Sequence, residues 1–295
     1  MTVPARSLAA SPIMFGVGCL AARMTLFGCV SVLQGAASTS SGNGGAGSAP
    51  YEHATGSEDM LVSVELAGWY GPVEYALRNT ASFLLLGDGT ALIPAPVPDP
   101  YPGPAINPLQ STTLTEQQIQ DLFAAANGAG LLGAEIDFGE PGISDQATTY
   151  VDITVDGRTV SQEAYALDIA DDDSPNTLSE ASRAARAALR DFISTAQGMV
   201  DSDSEPFRPD IILAHRLSSA ADISEEPRVW PVVTVPPPIE ATSSASSSCV
   251  AISGAEAVQL AAALVGANGF TPWVIGTDPP ARMVFRSLLP GDPGC

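Results

Sequence analysis

Apolar residues recur along this chain in two periods, and the period of each stretch predicts its element. Residues 60–66 alternate apolar and polar positions and are rich in Val and Leu, which predicts a strand. Residues 83–93 are two apolar runs around Gly87-Asp88-Gly89, which predicts a hairpin. A second hairpin is expected where Tyr150 to Val155 alternates, Asp156-Gly157 turns, and Arg158 to Ser161 returns.

The helical period appears three times, each time behind the same device. Thr115 and Gln118 form a potential capping box ahead of Ile119, Leu122, Phe123 and Ala126. Thr177 and Glu180 precede Ala181, Ala185, Ala188, Leu189 and Phe192, while Ser253 and Glu256 precede Val258, Ala261, Leu264 and Val265. Stop signals follow at Asn127-Gly128, Gly198 and Asn268-Gly269. Further strands are expected over 210–216, 228–235, 249–252 and 282–288. Hairpins demand antiparallel pairing, so the expectation is an α+β fold: antiparallel sheet with helices packed mainly on one face. The acidic stretch at 201–205 predicts a boundary between subdomains 59–204 and 205–295.

The first 29 residues follow another logic. Arg6 precedes an apolar stretch from Leu8 to Ala22, the order of an export signal too short to span a bilayer as a stable helix. Leu26-Phe27-Gly28-Cys29 resembles a bacterial lipobox, in which the cysteine is diacylated and becomes the new N-terminus. Gly16-Val17-Gly18-Cys19 is a poorer match, and Gly35 with Ala37 offers a plain signal-peptidase site, so simple secretion and a retained signal anchor stay open. A Ser, Gly and Ala-rich tether is expected over 30–58. Two acyl chains, at about 0.8 kcal/mol per buried CH₂, would hold such a tether on a membrane.

Charge narrows the partners. The chain has 33 acidic residues against 12 arginines, no lysine, and a net charge of −21. No basic stripe exists to displace counterions, which excludes nucleic acid as a partner and leaves acyl chains as the means of membrane attachment. About 240 residues remain to form a core beyond the signal and tether. Cys249 and Cys295 are the two cysteines outside the signal, and in an exported chain they are expected to pair. They stand about 46 residues apart, a loop whose closure is worth roughly 4 kcal/mol on the chain-entropy model.

Residues 83–193 carry a recurring pattern: Phe83-Leu84-Leu85-Leu86-Gly87-Asp88-Gly89-Thr90, then Leu114-Thr115 opening a helix, then Gly130-Leu131-Leu132. Asp145, Thr148-Thr149, the strand to Asp156-Gly157-Arg158 and a closing helix complete it. This resembles a domain of unknown function that recurs in bacterial lipoproteins and secreted proteins. Thr271-Pro272-Trp273 and Phe285-Arg286-Ser287-Leu288-Leu289-Pro290 to Cys295 look like exported proteins of high-GC bacteria. The resemblance implies export and no particular activity.

Candidate chemistry is sparse. His53 falls in the expected tether and His215 near the end of an expected strand, with no Gly-x-Ser-x-Gly elbow to supply a nucleophile. Asp171-Asp172-Asp173 and Asp201-Ser202-Asp203-Ser204-Glu205 are acidic, but the second lacks the glycine and terminal glutamate of a calcium loop, so no metal or cofactor is assigned. Proline occupies every second position from Pro94 to Pro104, predicting an extended arm that either covers a sheet edge or docks a partner. The candidate partner surface is Tyr101 on that arm, Trp230 beside Pro231, and Trp273, with Trp273 and Phe285 otherwise in the core. The leading expectation is a non-enzymatic, surface-tethered interaction or envelope-associated protein. The alternatives are an extracellular hydrolase using carboxylates or His215, and a secreted inhibitor-like binder.

Overall fold

The computed structural model describes residues 50–68, 70–97, 101–169, 178–200, 204–220, 225–239 and 247–295. The expected signal segment with Cys29, most of the expected tether, and the acids Asp171, Asp172, Asp173, Asp201 and Asp203 lie outside the described residues.

The protein is α+β, with two largely antiparallel sheets. The first sheet holds β1 (Met60–Ala67), β2 (Phe83–Leu86), β3 (Thr90–Pro94), β4 (Leu109–Thr113), β5 (Thr148–Val155), β6 (Arg158–Tyr165) and β7 (Glu205–Pro206). Its spatial order is β6-β5-β1-β2-β3-β4-β7. The second holds β8 (Ile211–Ala220), β9 (Arg228–Val229), β10 (Ser247–Ser253), β11 (Trp273–Val274) and β12 (Ala281–Ser287), ordered β10-β8-β12-β11-β9. Among the described strand pairs, the short β9–β11 pairing is parallel and the others are antiparallel. The change of sheet falls after β7, close to the acidic stretch that suggested a boundary.

Turn chemistry fixes both expected hairpins. Asp156 and Gly157 both adopt positive φ, +52° and +71°, as a two-residue primed turn requires between right-twisted strands. Gly89, at φ +87°, lies where an added Cβ would stand 2.7 Å from the Leu114 carbonyl oxygen, so the turn also needs its small size. β1 pairs with β2 on one side and with the distant β5 on the other, Val64 facing Val151 and Val62 facing Ile153.

β2 is buried at all four positions because both its faces are covered. Phe83 and Leu85 join Leu122, Phe123, Leu189 and Phe192 from α2 (Glu116–Gly128) and α3 (Glu180–Gly198). Leu84 and Leu86 turn the other way and meet Leu109 and Leu289. The second sheet buries Ile212, Ala214, Met283 and Phe285 against Ala257, Leu260 and Leu264 of α4 (Gly254–Leu264).

Several local expectations are corrected. The Thr115–Gln118 capping box forms, but α3 is capped by Ser179, whose hydroxyl accepts from the Ser182 amide; Thr177 lies outside the described residues. Ser253 makes no side-chain cap, and Glu256 does not reach back to close a box, since it accepts from the Thr234 amide at 3.1 Å. α4 stops at Leu264, ahead of Gly266 at φ +72°, rather than at Asn268-Gly269. The buried face of α3 is Ser182, Arg186, Leu189, Phe192 and Ala196, turned from the alanine-lined face expected. Arg186 is fully buried and donates to the carbonyls of Tyr165 and Ala166 at 3.0 and 2.5 Å. The strand expected over 228–235 shrinks to two residues, ending before Pro231, which has no amide to donate to a ladder.

The tether ends earlier than residue 58. Gln120 exchanges two 2.8 Å hydrogen bonds with the Tyr51 backbone, and the Asp156 amide donates to the Glu52 carbonyl at 2.7 Å. His53 packs on the Phe123 ring at 5.8 Å, with Nε2 3.1 Å from Glu116 Oε2. Residues 51–56 therefore dock onto the first sheet's helical face.

Candidate functional site

Two elements missing from the sequence expectations build the most suggestive concavity. A short helix, α1 (Val73–Arg78), follows Pro72, and β4 returns antiparallel beside β3, with 95–97 and 101–108 the described residues of the loop between them. This loop is the proline arm. Its far limb leaves the first sheet and reaches the second, where Ile106 bridges Phe285 and Pro104 bridges Asn268. The Ala105 amide donates to the Ala267 carbonyl, and the Gly269 amide to the Gly103 carbonyl, both at 3.0 Å. The arm thus covers the side of β12 that the two-residue β11 leaves open.

Between the arm and α1 lies a cleft of about 210 Å³. Tyr75, Arg78 and Glu74 come from α1, Tyr101 and Gly103 from the arm, Phe270 from the loop after α4, and Arg282 from β12. Arg282 donates from Nη2 to Glu74 Oε1 at 2.7 Å, and its guanidinium carbon stands 5.6 Å from the Phe270 ring centroid. Phe270 in turn meets Tyr101 edge-on, centroids 5.4 Å apart.

Arg78 is held differently. Its Nη1 makes a long 3.4 Å hydrogen bond to the Pro104 carbonyl, and among the described residues it has no carboxylate at ion-pair distance. The guanidinium fits because residue 269 is glycine: a Cβ there would stand 2.8 Å from Nη2. Burial pulls the Arg78 guanidinium below the usual arginine range; Tyr75 and Glu74 oppose this, while nearby Arg282 adds to it. Arginine nonetheless keeps its proton, so the cleft carries two cations and one anion.

The structure separates the three aromatics expected on one surface. Tyr101 is 75% exposed, whereas Trp230 and Trp273 are 7% and 1% exposed. Trp230 is corrected to a core residue, and Trp273 takes the core alternative beside Phe285: Trp230 stacks on Phe285 at 6.1 Å and meets Trp273 edge-on at 5.9 Å. Trp230 satisfies its indole nitrogen locally, donating to the Thr234 carbonyl at 3.0 Å.

His215 is buried in the second sheet, directly opposite Cys249 in the β8–β10 register. Burial, and secondarily Arg286, holds its imidazole below the ordinary histidine range and therefore neutral. Nε2 lies 3.7 Å from Cys249 Sγ. Cys249 is bonded to Cys295, the Cα atoms 5.4 Å apart. His215 thus stands behind a disulfide, apart from the cleft.

A second hollow, of about 430 Å³, gathers Glu135, Asp137, Glu140 and Glu163 near Tyr165. All four carboxylates are solvent-exposed. Exposed acids of this kind form a solvated face.

No family model, curated protein or solved structure matches this chain. Of the three residues expected on one surface, Tyr101 lines the cleft beside α1. Arg78, Arg282, Tyr75 and Phe270 were not singled out in the sequence. The available signal was scarcity: with only 12 cationic side chains, an arginine inside an apolar strand such as 281–287 is conspicuous.

Proposed function

We propose that this chain is an exported, lipid-anchored and non-enzymatic interaction protein of the bacterial cell envelope. The observation that carries this reading is the Cys249–Cys295 bond, which ties the final residue to β10. A structural disulfide persists in an oxidising compartment and is rare in the cytosol. The lipobox-like residues 26–29, the resemblance to lipoprotein and secreted domains, and the small-residue run up to residue 49 support the same address. The net charge of −21 argues for attachment through acyl chains at Cys29 rather than through a basic patch. The arm offers an exposed Tyr101 to a partner, and its prolines restrict the backbone, which lowers the entropic cost of docking.

The test is intact-mass analysis of the mature N-terminus from the membrane fraction. A diacylated Cys29 is expected, and Cys29→Ala should move the protein to the soluble exported fraction. An unmodified N-terminus beginning after Ala37 would refute the lipid anchor. An uncleaved chain in the cytosol with both distal thiols free would refute export altogether.

A further inference from the structure

We infer that the cleft between Arg78, Arg282, Tyr101 and Phe270 binds a small monoanionic carboxylate carried on a flat aromatic body. This goes beyond the envelope reading, which says where the chain works and leaves its ligand unspecified.

The charge balance is the first argument. The protein as a whole is strongly acidic, with 33 carboxylates for 12 arginines, yet among the described residues two of those arginines line one cleft with a single carboxylate. Glu74 is taken by Arg282 at 2.7 Å, and Arg78 has no described carboxylate partner. Two guanidiniums less one carboxylate leave one positive charge, which a monoanion neutralises and a phosphate dianion overshoots. A guanidinium offers a planar fork of N–H donors, and the fork geometry suits a carboxylate in two parallel bonds.

The second argument is the fit of the walls. Arg78 spends only a long 3.4 Å bond on the protein, to the Pro104 carbonyl, and its approach depends on the missing side chain at Gly269. Tyr75 is 54% exposed and Tyr101 75% exposed, and both border the cleft with Phe270, so aromatic faces stand beside the cations. Aromatic pairs at such spacing attract beyond simple area burial. The volume of about 210 Å³ lies below the roughly 300–1,000 Å³ of drug-sized pockets, and so suits one ring with its acid group.

The cleft's position gives it a consequence. Its walls belong to α1, the proline arm, the loop after α4 and β12, so a bound anion would contact segments attached to both sheets. Occupancy should therefore stiffen the hold of the arm on β12.

The experiment is calorimetric titration of the mature, oxidised protein at low salt with benzoate, benzyl alcohol and inorganic phosphate. Benzoate should bind one-to-one and weaken with added salt; benzyl alcohol, of the same shape without the charge, should give no saturable heat; phosphate should bind more weakly than benzoate. Arg78→Gln should weaken benzoate about tenfold or more. Arg78→Lys should recover part of that loss, while Arg208→Gln, at an exposed position elsewhere, should change nothing. In case Arg78 variants fail to fold, backbone NMR of the unaltered protein serves alone: benzoate should shift the Gly103 and Gly269 amides. Silence from benzoate, phosphate binding as tight or tighter, undiminished binding by folded Arg78→Gln, or shifts confined to other regions would each overturn the assignment. None of these outcomes touches the N-terminal mass, so failure of the ligand and failure of the envelope reading are separately visible.

Discussion

Severing the Cys249–Cys295 bridge should destabilise the protein chiefly by freeing its unfolded state. The bonded residues are 46 apart in sequence, and the chain-entropy relation for a loop of that length gives about 4 kcal/mol. The loop contains the end of β10, α4, β11 and β12, so the constraint acts on about half of the second sheet and the helix packed on it. The folded tail, in contrast, has further anchors. Arg286 donates to the Pro293 carbonyl at 2.8 Å, the Leu289 amide donates to Asp292 at 3.1 Å, and Arg286 lies 3.7 Å from the Asp292 carboxylate. A Cys249→Ser/Cys295→Ser double variant should therefore still fold near room temperature with an unchanged far-ultraviolet spectrum. For a chain of this size each kcal/mol moves the melting temperature by about 2–4 °C, so the expected drop is about 8–16 °C. Circular-dichroism melts of the oxidised protein and the double variant, with denaturant titrations alongside, measure it. A drop below about 2 °C would refute the reasoning, because the unfolded chain would then have gained no freedom from losing the bond.

Other perturbations follow from equally local causes. Arg186→Met should cost about 1–3 kcal/mol in denaturant titrations, since it removes the guanidinium that donates to the half-buried Tyr165 carbonyl and to the Ala166 carbonyl, which keeps the Ile169 amide at 3.2 Å; a loss below about 0.5 kcal/mol would mean water replaces it. Gly157→Ala should cost about 1 kcal/mol, purely from the left-handed backbone at φ +71°, because nothing lies within 4 Å of the added methyl; Gly157→Asn should cost less, and equal losses would contradict a conformational origin. His215 has a folded pKa depressed below its ordinary 6.5, chiefly by burial, so the stability it contributes is fully present above pH 6.5 and is lost as pH falls through its folded value. His215→Leu should flatten the pH dependence of melting just below pH 6.5, and an unaltered slope would assign it elsewhere. Asp292 and Glu65 act with the opposite sign: burial raises both, for Asp292 in spite of Arg286 nearby, so stability tied to them declines as pH rises through and above their ordinary values of 3.8 and 4.5. Asp292→Asn should remove part of that decline in melts taken between pH 3.5 and 6, and an unchanged profile would count against burial as the cause.

How legible was the fold? The Gly-Asp-Gly and Asp-Gly turns marked their hairpins because a positive φ is a property of one or two residues. The Thr115 cap was equally readable, being satisfied within four residues. Ser253 shows where that reasoning stops, since Glu256 was drawn to the Thr234 amide in a distant loop. Tyr101 and Trp230 carried the same signal, an aromatic beside prolines, and the structure exposes one and buries the other. That difference is set by neighbours: Trp230 meets Phe285 and Trp273, whereas Tyr101 meets only the rim formed by Phe270.

Sequence alone determined the two hairpins, the three longer helices, the α+β class and the pairing of Cys249 with Cys295, because turn chemistry, periodicity and residue count are local or compositional. Tertiary structure alone decided that the proline arm crosses from one sheet to the other and that Arg78 and Arg282 share a cleft. Those two arginines are separated by more than two hundred residues of chain. What brings them together is the path of β12 past α1, a product of how both sheets bury their faces, and no short stretch of residues encodes that path.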